Sequence, residues 1–128
     1  MSAKRRSHAR VLETTEETAR SMTAQRVPVN AYEAPGAFVI LAPVPGVTAD
    51  DVTVELLEDH VRFWAELRSS GPRDFVLHEW EYGGYERRVD VPDGYGSEIV
   101  ASLANGQLAI RVLAGEFSQE RRVQPTSR

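Results

Sequence analysis

Apolar and polar residues alternate with a period of two along much of the middle of the chain. The clearest case is residues 61–67, and the same alternation occurs in residues 51–57 and 85–91. Successive side chains of a strand point to opposite faces of a sheet, so this pattern predicts half-buried antiparallel strands. The middle of the chain is therefore expected to be built almost entirely from β-structure.

Turn signals separate these runs at short spacings. An apolar run at residues 37–42 ends at Pro43-Val44-Pro45-Gly46, which cannot continue a hydrogen-bonded ladder. Asn105-Gly106, between two apolar runs, is the strongest two-residue hairpin signal. With a further strand at residues 27–32 and an extended segment at 75–80, seven or eight short strands predict an all-β antiparallel sandwich.

Composition divides the chain into three parts. Residues 1–26 are rich in Ser, Thr, Glu and Arg, and Thr14-Thr15 could begin a short helix whose apolar stripe is too thin to dock firmly. We interpret this part as a mobile N-terminal arm. Residues 27–113 form the predicted sandwich, and residues 114–128 return to the composition of a C-terminal tail.

Length and composition exclude several classes of protein. The chain has 128 residues, 41% of them hydrophobic, which fits one domain with its own core. The absence of cysteine excludes disulfides, thiol chemistry and cysteine-ligated zinc. No apolar run is long enough to span a membrane, and residues 1–10 lack the apolar stretch of a signal peptide. We therefore expect a soluble, cytoplasmic protein.

The net charge of −4 is unevenly distributed. Residues 1–26 carry six bases and three acids, +3, and residues 114–128 carry three bases and two acids, +1. Residues 27–113 carry six bases and fourteen acids, −8. Nucleic-acid binding needs a basic face, so no nucleic-acid partner is expected for the sandwich. The Lys4-Arg5-Arg6 cluster could contact nucleic acid or an anionic surface, or it is a solvated tail.

Side chains that could carry chemistry are scattered. The three histidines lack the spacing of a metal site, and the paired acids lie at strand ends, where neighbouring side chains point to opposite faces. No nucleophile elbow or phosphate-binding glycine loop is present. These groups are His8, His60, His78, Asp50-Asp51 and Glu58-Asp59. The sequence therefore predicts no enzyme, no catalytic residue, no metal site and no cofactor.

Four motifs in order resemble the small heat-shock protein family, through its α-crystallin domain, over about residues 27–113. Each is weak alone, but together they cover most of the chain. They are Val29-Asn30-Ala31-Tyr32-Glu33 followed by Phe38-Val39-Ile40, Pro45-Gly46-Val47 followed by Asp50-Asp51-Val52-Thr53-Val54, Gly84-Tyr85-Glu86-Arg87-Arg88-Val89-Asp90-Val91-Pro92, and Ala101-Ser102-Leu103-Ala104-Asn105-Gly106-Gln107-Leu108.

This resemblance implies an immunoglobulin-like sandwich that forms a homodimer by lending a loop strand to its partner. Here the loop would be residues 69–82. Its apolar members are Phe75, Val76, Leu77 and Trp80. A long excursion with such side chains is unlikely to remain in water, which agrees with the implied exchange. The alternative is that these residues fold back on their own sheet.

Arg87 matches the family's arginine in the dimer region. It shares a strand face with apolar residues, so if covered it needs a carboxylate partner. Candidates from the partner chain are Glu79, Glu81 and Asp74. The alternative is an exposed Arg87 without a role in the interface.

The resemblance also implies an ATP-independent chaperone, a holdase that binds unfolding client proteins and prevents their aggregation. Apolar surface and open sheet edges would bind the client. The implied groove lies between residues 52–57 and 99–104. Its candidate lining is Val54, Leu56, Ile99, Ala101 and Leu103. The alternative for these residues is that they are simply core.

Departures from the family pattern bear on assembly. The last strand ends in Leu113-Ala114 instead of Pro-Lys, and the tail lacks the Ile-x-Ile/Val latch that builds large assemblies. It offers Arg121-Arg122-Val123-Gln124-Pro125, with a single apolar residue. We therefore expect a dimer or a small oligomer. The alternative function is a dedicated co-chaperone or scaffold module with one specific partner.

Overall fold

The computed structural model describes residues 25–66, 74–79 and 84–127. Within these ranges the chain forms ten strands and one short 3-10 turn at Ala49–Asp51. The strands are β1 (Gln25–Arg26), β2 (Asn30–Ala34), β3 (Ala37–Pro43), β4 (Val52–Leu56), β5 (His60–Ala65), β6 (Tyr85–Asp90), β7 (Tyr95–Ala104), β8 (Gln107–Ala114), β9 (Arg121–Val123) and β10 (Thr126–Ser127).

The strands form two five-stranded sheets. Sheet A has the order β1-β6-β5-β4-β9, and sheet B has the order β10-β7-β8-β3-β2. All pairings are antiparallel except two short ones at sheet edges, β1 with β6 and β10 with β7. The predicted all-β sandwich is therefore confirmed.

The alternation along the strands determines the core between the sheets. Along β4 and β5, buried and half-buried residues alternate, and Val54 lies opposite Phe63 with both side chains fully buried. Fully burying such a side chain stabilises the fold by about 1.5–3 kcal/mol. Other large, fully buried side chains include Ile40, Leu56, Leu108 and Ile110.

The Asn105-Gly106 turn joins β7 to β8 as the sequence predicts. Both residues have positive φ, 52° for Asn105 and 77° for Gly106, as a type I′ hairpin turn requires. The Val44 N–H donates a hydrogen bond of 2.7 Å to the Gly106 carbonyl, which ties the turn to the end of β3. This hairpin fixes the register of the two longest strands of sheet B.

Two predicted strands differ in the structure. The run at residues 27–32 is divided, because Val27 turns into the core after β1 and β2 begins at Asn30. The predicted extended segment at residues 75–80 has no strand pairing over the described residues 74–79, and Trp80 lies outside the described residues. The apolar side chains of residues 75–77 therefore do not belong to a core strand in this structure.

The sandwich also continues into both predicted terminal parts. Strand β1 lies within the predicted arm, whose residues 1–24 are outside the described ones, and β8 extends to Ala114. Residues 121–127 of the predicted tail form β9 and β10 at the edges of the two sheets. The polar composition of residues 121–127 gave no sign of these two strands, because the segment pairs mainly through its backbone and its arginines.

Candidate functional site

The groove predicted from the resemblance lies between β4 of sheet A and β7 of sheet B. The structure brings its five candidate residues together along these two strands. Val54, Leu56, Ile99 and Leu103 are buried members of the core, and Ala101 is half-buried against it. In this structure the groove is closed, and these four residues are part of the core, as the core alternative predicts.

A C-terminal segment, residues 121–127, covers this groove, and we call it the strap. Without it, β4 and β7 would each be an edge strand in its sheet. Strand β9 pairs antiparallel with β4, which places Val123 opposite Val54 and on the core side. Strand β10 then pairs with β7 next to Leu103. The strap therefore closes the sandwich along one side.

Short polar contacts hold the end of the strap. The Gln124 side-chain amide donates to the Asp50 carbonyl at 3.2 Å, and the Thr126 hydroxyl donates to the Ala101 carbonyl at 3.4 Å. Between them Pro125 is buried. Proline has no N–H, so the chain can cross from one sheet to the other at this residue without leaving a buried donor unpaired.

Two arginine–carboxylate contacts join the strap to the strands. Arg122 Nη2 lies 3.0 Å from Glu55 Oε2, and the Glu55 side chain is only 19% exposed. Arg121 Nε lies 3.3 Å from Glu98 Oε1, but it is buried without a well-aligned hydrogen bond. The contact between Arg121 and Glu98 is therefore an electrostatic interaction and not a hydrogen bond. Exposed pairs of this kind contribute about 0–1 kcal/mol each, so the strap is held weakly compared with the core.

The contact of Arg122 is part of a larger network of side chains on the outer face of sheet A. The guanidinium of Arg122 lies 5.5 Å from the centroid of the Trp64 ring, and that of Arg62 lies 4.3 Å from it. Arg62 in turn donates two hydrogen bonds to Glu86 Oε2, at 3.1 and 2.9 Å. Strap and sheet therefore share one network of charges and an aromatic ring.

A second surface feature adjoins the strap on the side of sheet B. It is an open cavity of about 370 Å³, bounded by β7 and β8 on one side and by the strap on the other. Its wall includes Ile99, Ala101 and Val123, and its rim includes Arg111. Apolar surface thus continues past the strap along the edge of β7.

The predicted dimer residues lie away from the groove. Phe75 is 48% exposed, Leu77 is 73% exposed, and Val76 is fully exposed. The Phe75 ring stacks on His78 with centroids 4.5 Å apart. Strand β2 ends sheet B in the described structure, and its Tyr32 is half-exposed. A single chain therefore presents both an apolar segment and a sheet edge that could receive one.

Arg87 is half-buried on β6, opposite Phe63. Its Nη1 donates to the Val27 carbonyl at 2.8 Å, and its Nε donates to the Arg88 carbonyl at 3.3 Å. Arg87 is therefore partly covered by its own chain, and its role in a dimer interface stays a prediction. An open, charged cavity of about 460 Å³ adjoins Arg87 and also Arg26 and Asp90, which leaves room for a carboxylate from another chain.

The pKa values of Asp59 and Tyr95 are shifted, and both groups lie away from the groove. The hydrogen bond from His60 lowers the pKa of Asp59, with 2.7 Å between Nδ1 and Oδ1. The hydrogen bond to Glu33, 2.6 Å from the Tyr95 hydroxyl, raises the pKa of Tyr95. Among the described residues no three side chains are grouped as metal ligands, and no helix is long and apolar enough to cross a membrane.

Sequence reasoning missed the strap. The signal that could have revealed it is the combination of two arginines, an apolar residue and a proline two positions later, in a chain whose sandwich is strongly acidic. The Ile-x-Ile/Val pattern requires two large apolar residues and therefore does not include Pro125, which is buried although it is not a large hydrophobe.

Comparisons with known proteins agree with this geometry. The chain is similar to hspA from Xanthomonas axonopodis, with 25% identity and a TM-score of 0.65, over 75% of this chain and 100% of that one. It is also similar to a small heat-shock protein from Xylella fastidiosa, with 27% identity and a TM-score of 0.61, over 77% of this chain and 94% of that one. A search among curated proteins finds no significant match.

A more distant likeness supports the fold alone. Heat shock protein 16.0 from Schizosaccharomyces pombe is 21% identical, with a TM-score of 0.59, over 74% of this chain and 92% of that one. The profile of the Hsp20/alpha crystallin family matches residues 30–125, most of the chain, from β2 through the strap. With the sandwich, the groove and these matches in place, the chain belongs to the Hsp20/alpha crystallin family of small heat-shock proteins, whose members are chaperones and not enzymes.

Proposed function

We propose that this chain is an ATP-independent holdase that binds unfolding proteins in the groove between β4 and β7. The observation that carries this proposal is the strap, a short segment that covers an apolar groove through short strand pairings and two arginine–carboxylate contacts. Opening it would expose side chains such as Val54 and Ile99 together with two free sheet edges. Apolar surface beside an unpaired edge is what an extended, unfolded segment binds.

We also propose a homodimer or small oligomer in which residues 74–80 pack against a second copy. The exposed side chains of Val76 and Leu77 support this, because such side chains gain stability when another chain covers them. The edge of β2 is available for the exchange. The charged cavity beside Arg87 could admit a carboxylate such as Glu79 from the partner.

The alternative, a co-chaperone or scaffold module dedicated to one partner, draws support from the same strap. A groove that is closed in the resting molecule offers little apolar surface to proteins at random. Such a module would open for one partner that binds the groove more tightly than the strap does.

One assay separates these functions. Several unrelated proteins are unfolded by heat or reduction, without nucleotide, in the presence of an excess of this chain, and light scattering is recorded. Broad suppression is the expected result. No suppression with any client would overturn the holdase proposal, and suppression with a single client would favour the dedicated module.

The prediction of a cytoplasmic location stays a prediction, as does the prediction that the sandwich binds no nucleic acid. The acidic balance of residues 27–113 supports the second, because phosphate groups would be repelled from most of this surface.

A further inference from the structure

The strap shows what the groove accepts, and we propose that the groove selects extended segments in which basic residues precede an apolar one. This inference rests on the proposed function, since it specifies which client segments bind. The selecting groups are Glu55 on β4 and Glu98 on β7. The chain's own strap is the resident ligand, and a client segment competes with it.

The charge preference follows from the burial of Glu55. Its side chain is 19% exposed, and its contact with Arg122 at 3.0 Å supplies the opposite charge. A partly buried carboxylate is stabilised by a neighbouring cation, so an incoming segment that supplies a cation at this position is favoured. A segment with acids at the same positions would bring like charges together at both Glu55 and Glu98.

The apolar and proline positions follow from the register of the strap. Pairing of β9 with β4 places Val123 opposite Val54 and Arg122 opposite Glu55, so charge and apolar recognition alternate along one strand. Side chains of consecutive residues point to opposite faces, which lets one extended segment satisfy both. Two residues later, the buried Pro125 marks the crossing between the sheets.

Competition makes the site sensitive to salt. The contact of Arg122 with Glu55 lies at the surface, so added salt weakens it while leaving the burial of Val123 nearly unchanged. Salt therefore opens the strap, and it also reduces the preference for basic over acidic segments.

The test uses the full chain carrying Val123→Asp, which removes the apolar contact of the strap, and isothermal titration calorimetry with synthetic peptides. One peptide has the sequence of residues 118–127, and a second has Glu-Glu in place of its two arginines. The charge-assisted contacts are expected to favour the Arg-Arg peptide by about tenfold at low salt. A third peptide with Asp in place of its valine should lose most of its binding.

Matched carboxylate variants locate the effect. Glu55→Gln in the same background should reduce the preference to about threefold, because one of two contacts is lost. Asp90→Asn is the control, since it removes a carboxylate that contacts Arg88 on β6, two strands away from β4 and outside the network around Trp64. A chain ending at Ser118 serves as a second receptor if Val123→Asp unfolds, as judged by circular dichroism.

Several results would overturn the inference. Equal affinities for the Arg-Arg and Glu-Glu peptides, or equal effects of Glu55→Gln and Asp90→Asn, would show that Glu55 and Glu98 do not select basic segments. Binding of neither peptide to either receptor would reject the groove as the site, while the light-scattering assay reports on holdase activity independently. A large wild-type assembly that Val123→Asp dissociates would assign the strap to a neighbour's groove.

Discussion

The groove and the segment at residues 74–79 are both apolar, but only the groove is covered by its own chain. Val54 and Leu56 lie under the strap, whereas Val76 and Leu77 are exposed. The difference lies in how each can be covered. The groove has two sheet edges and two carboxylates that fix a strand, while the segment has no strand pairing among the described residues. One apolar surface is therefore covered within the chain, and the other is left exposed for the proposed association with a second copy.

Leu56→Ala tests how much a buried residue of the groove contributes to the stability of the fold, and it has the largest expected effect. Leu56 is fully buried in the core, so truncation should reduce the free energy of unfolding by about 2–5 kcal/mol. Urea unfolding measures this loss. Leu77→Ala is the control, because its exposed side chain should change the unfolding free energy of the monomer by less than about 0.5 kcal/mol. Equal losses of unfolding free energy in the two variants would contradict the difference between the covered groove and the exposed segment.

A double substitution, Val76→Asp with Leu77→Asp, tests the uncovered region. Two charges in a buried interface are strongly unfavourable, so the dimer should dissociate to a monomer of 14.3 kDa. Size exclusion coupled to light scattering measures the mass. Val100→Asp, at a half-exposed residue on β7, is the control and should leave the proposed dimer intact. An unchanged mass in the double variant would reject this segment as the interface.

Arg122→Ala tests the weak attachment of the strap. It removes the contacts with Glu55 and with the Trp64 ring, and a loss of about 1 kcal/mol or less in unfolding free energy is expected at low salt. The loss should shrink at high salt. Arg88→Ala, which breaks a surface contact of 3.6 Å with Asp90, is the control and should have a smaller effect. A large loss that persists at high salt would contradict weak attachment.

The smallest effect is expected from Asp59→Asn, in the turn beyond the end of β4. The pKa of Asp59 is lowered below 3.8 in the folded chain, chiefly by its hydrogen bond with His60. This stabilisation is present above pH 3.8 and is lost as the pH falls through the lower folded pKa. Urea unfolding at neutral pH and below pH 3.8 should show a slightly flatter acid dependence in the variant. An identical dependence for wild type and variant would show that the hydrogen bond contributes nothing.

Much of the fold could be predicted because the relevant information is local. The alternation around Phe63 follows from a period of two, and the hairpin at Asn105-Gly106 follows from two residues that accept positive φ. The resemblance then identified the two strands of the groove. In these regions short-range pattern and long-range packing agree.

The strap and the role of Arg87 could not be obtained in this way. Arg122 meets Glu55 across 67 positions in the chain, and Arg87 meets Val27 across 60. Neither pairing leaves a periodic trace in the sequence, since it depends on which sheet edges remain open after folding. The apolar character of residues 75–80 suggested a strand, but residues 74–79 pair with neither sheet in the described structure.

The position of Trp64 beneath Arg62 and Arg122 gives the strap an optical reporter. Opening the strap removes one cation from the face of the indole, so the fluorescence emission of Trp64 should change in wavelength or intensity. The chain has one other tryptophan, Trp80, and Trp80→Phe leaves Trp64 as the sole indole emitter. The opening and closing of the groove can therefore be followed in real time in unlabelled protein.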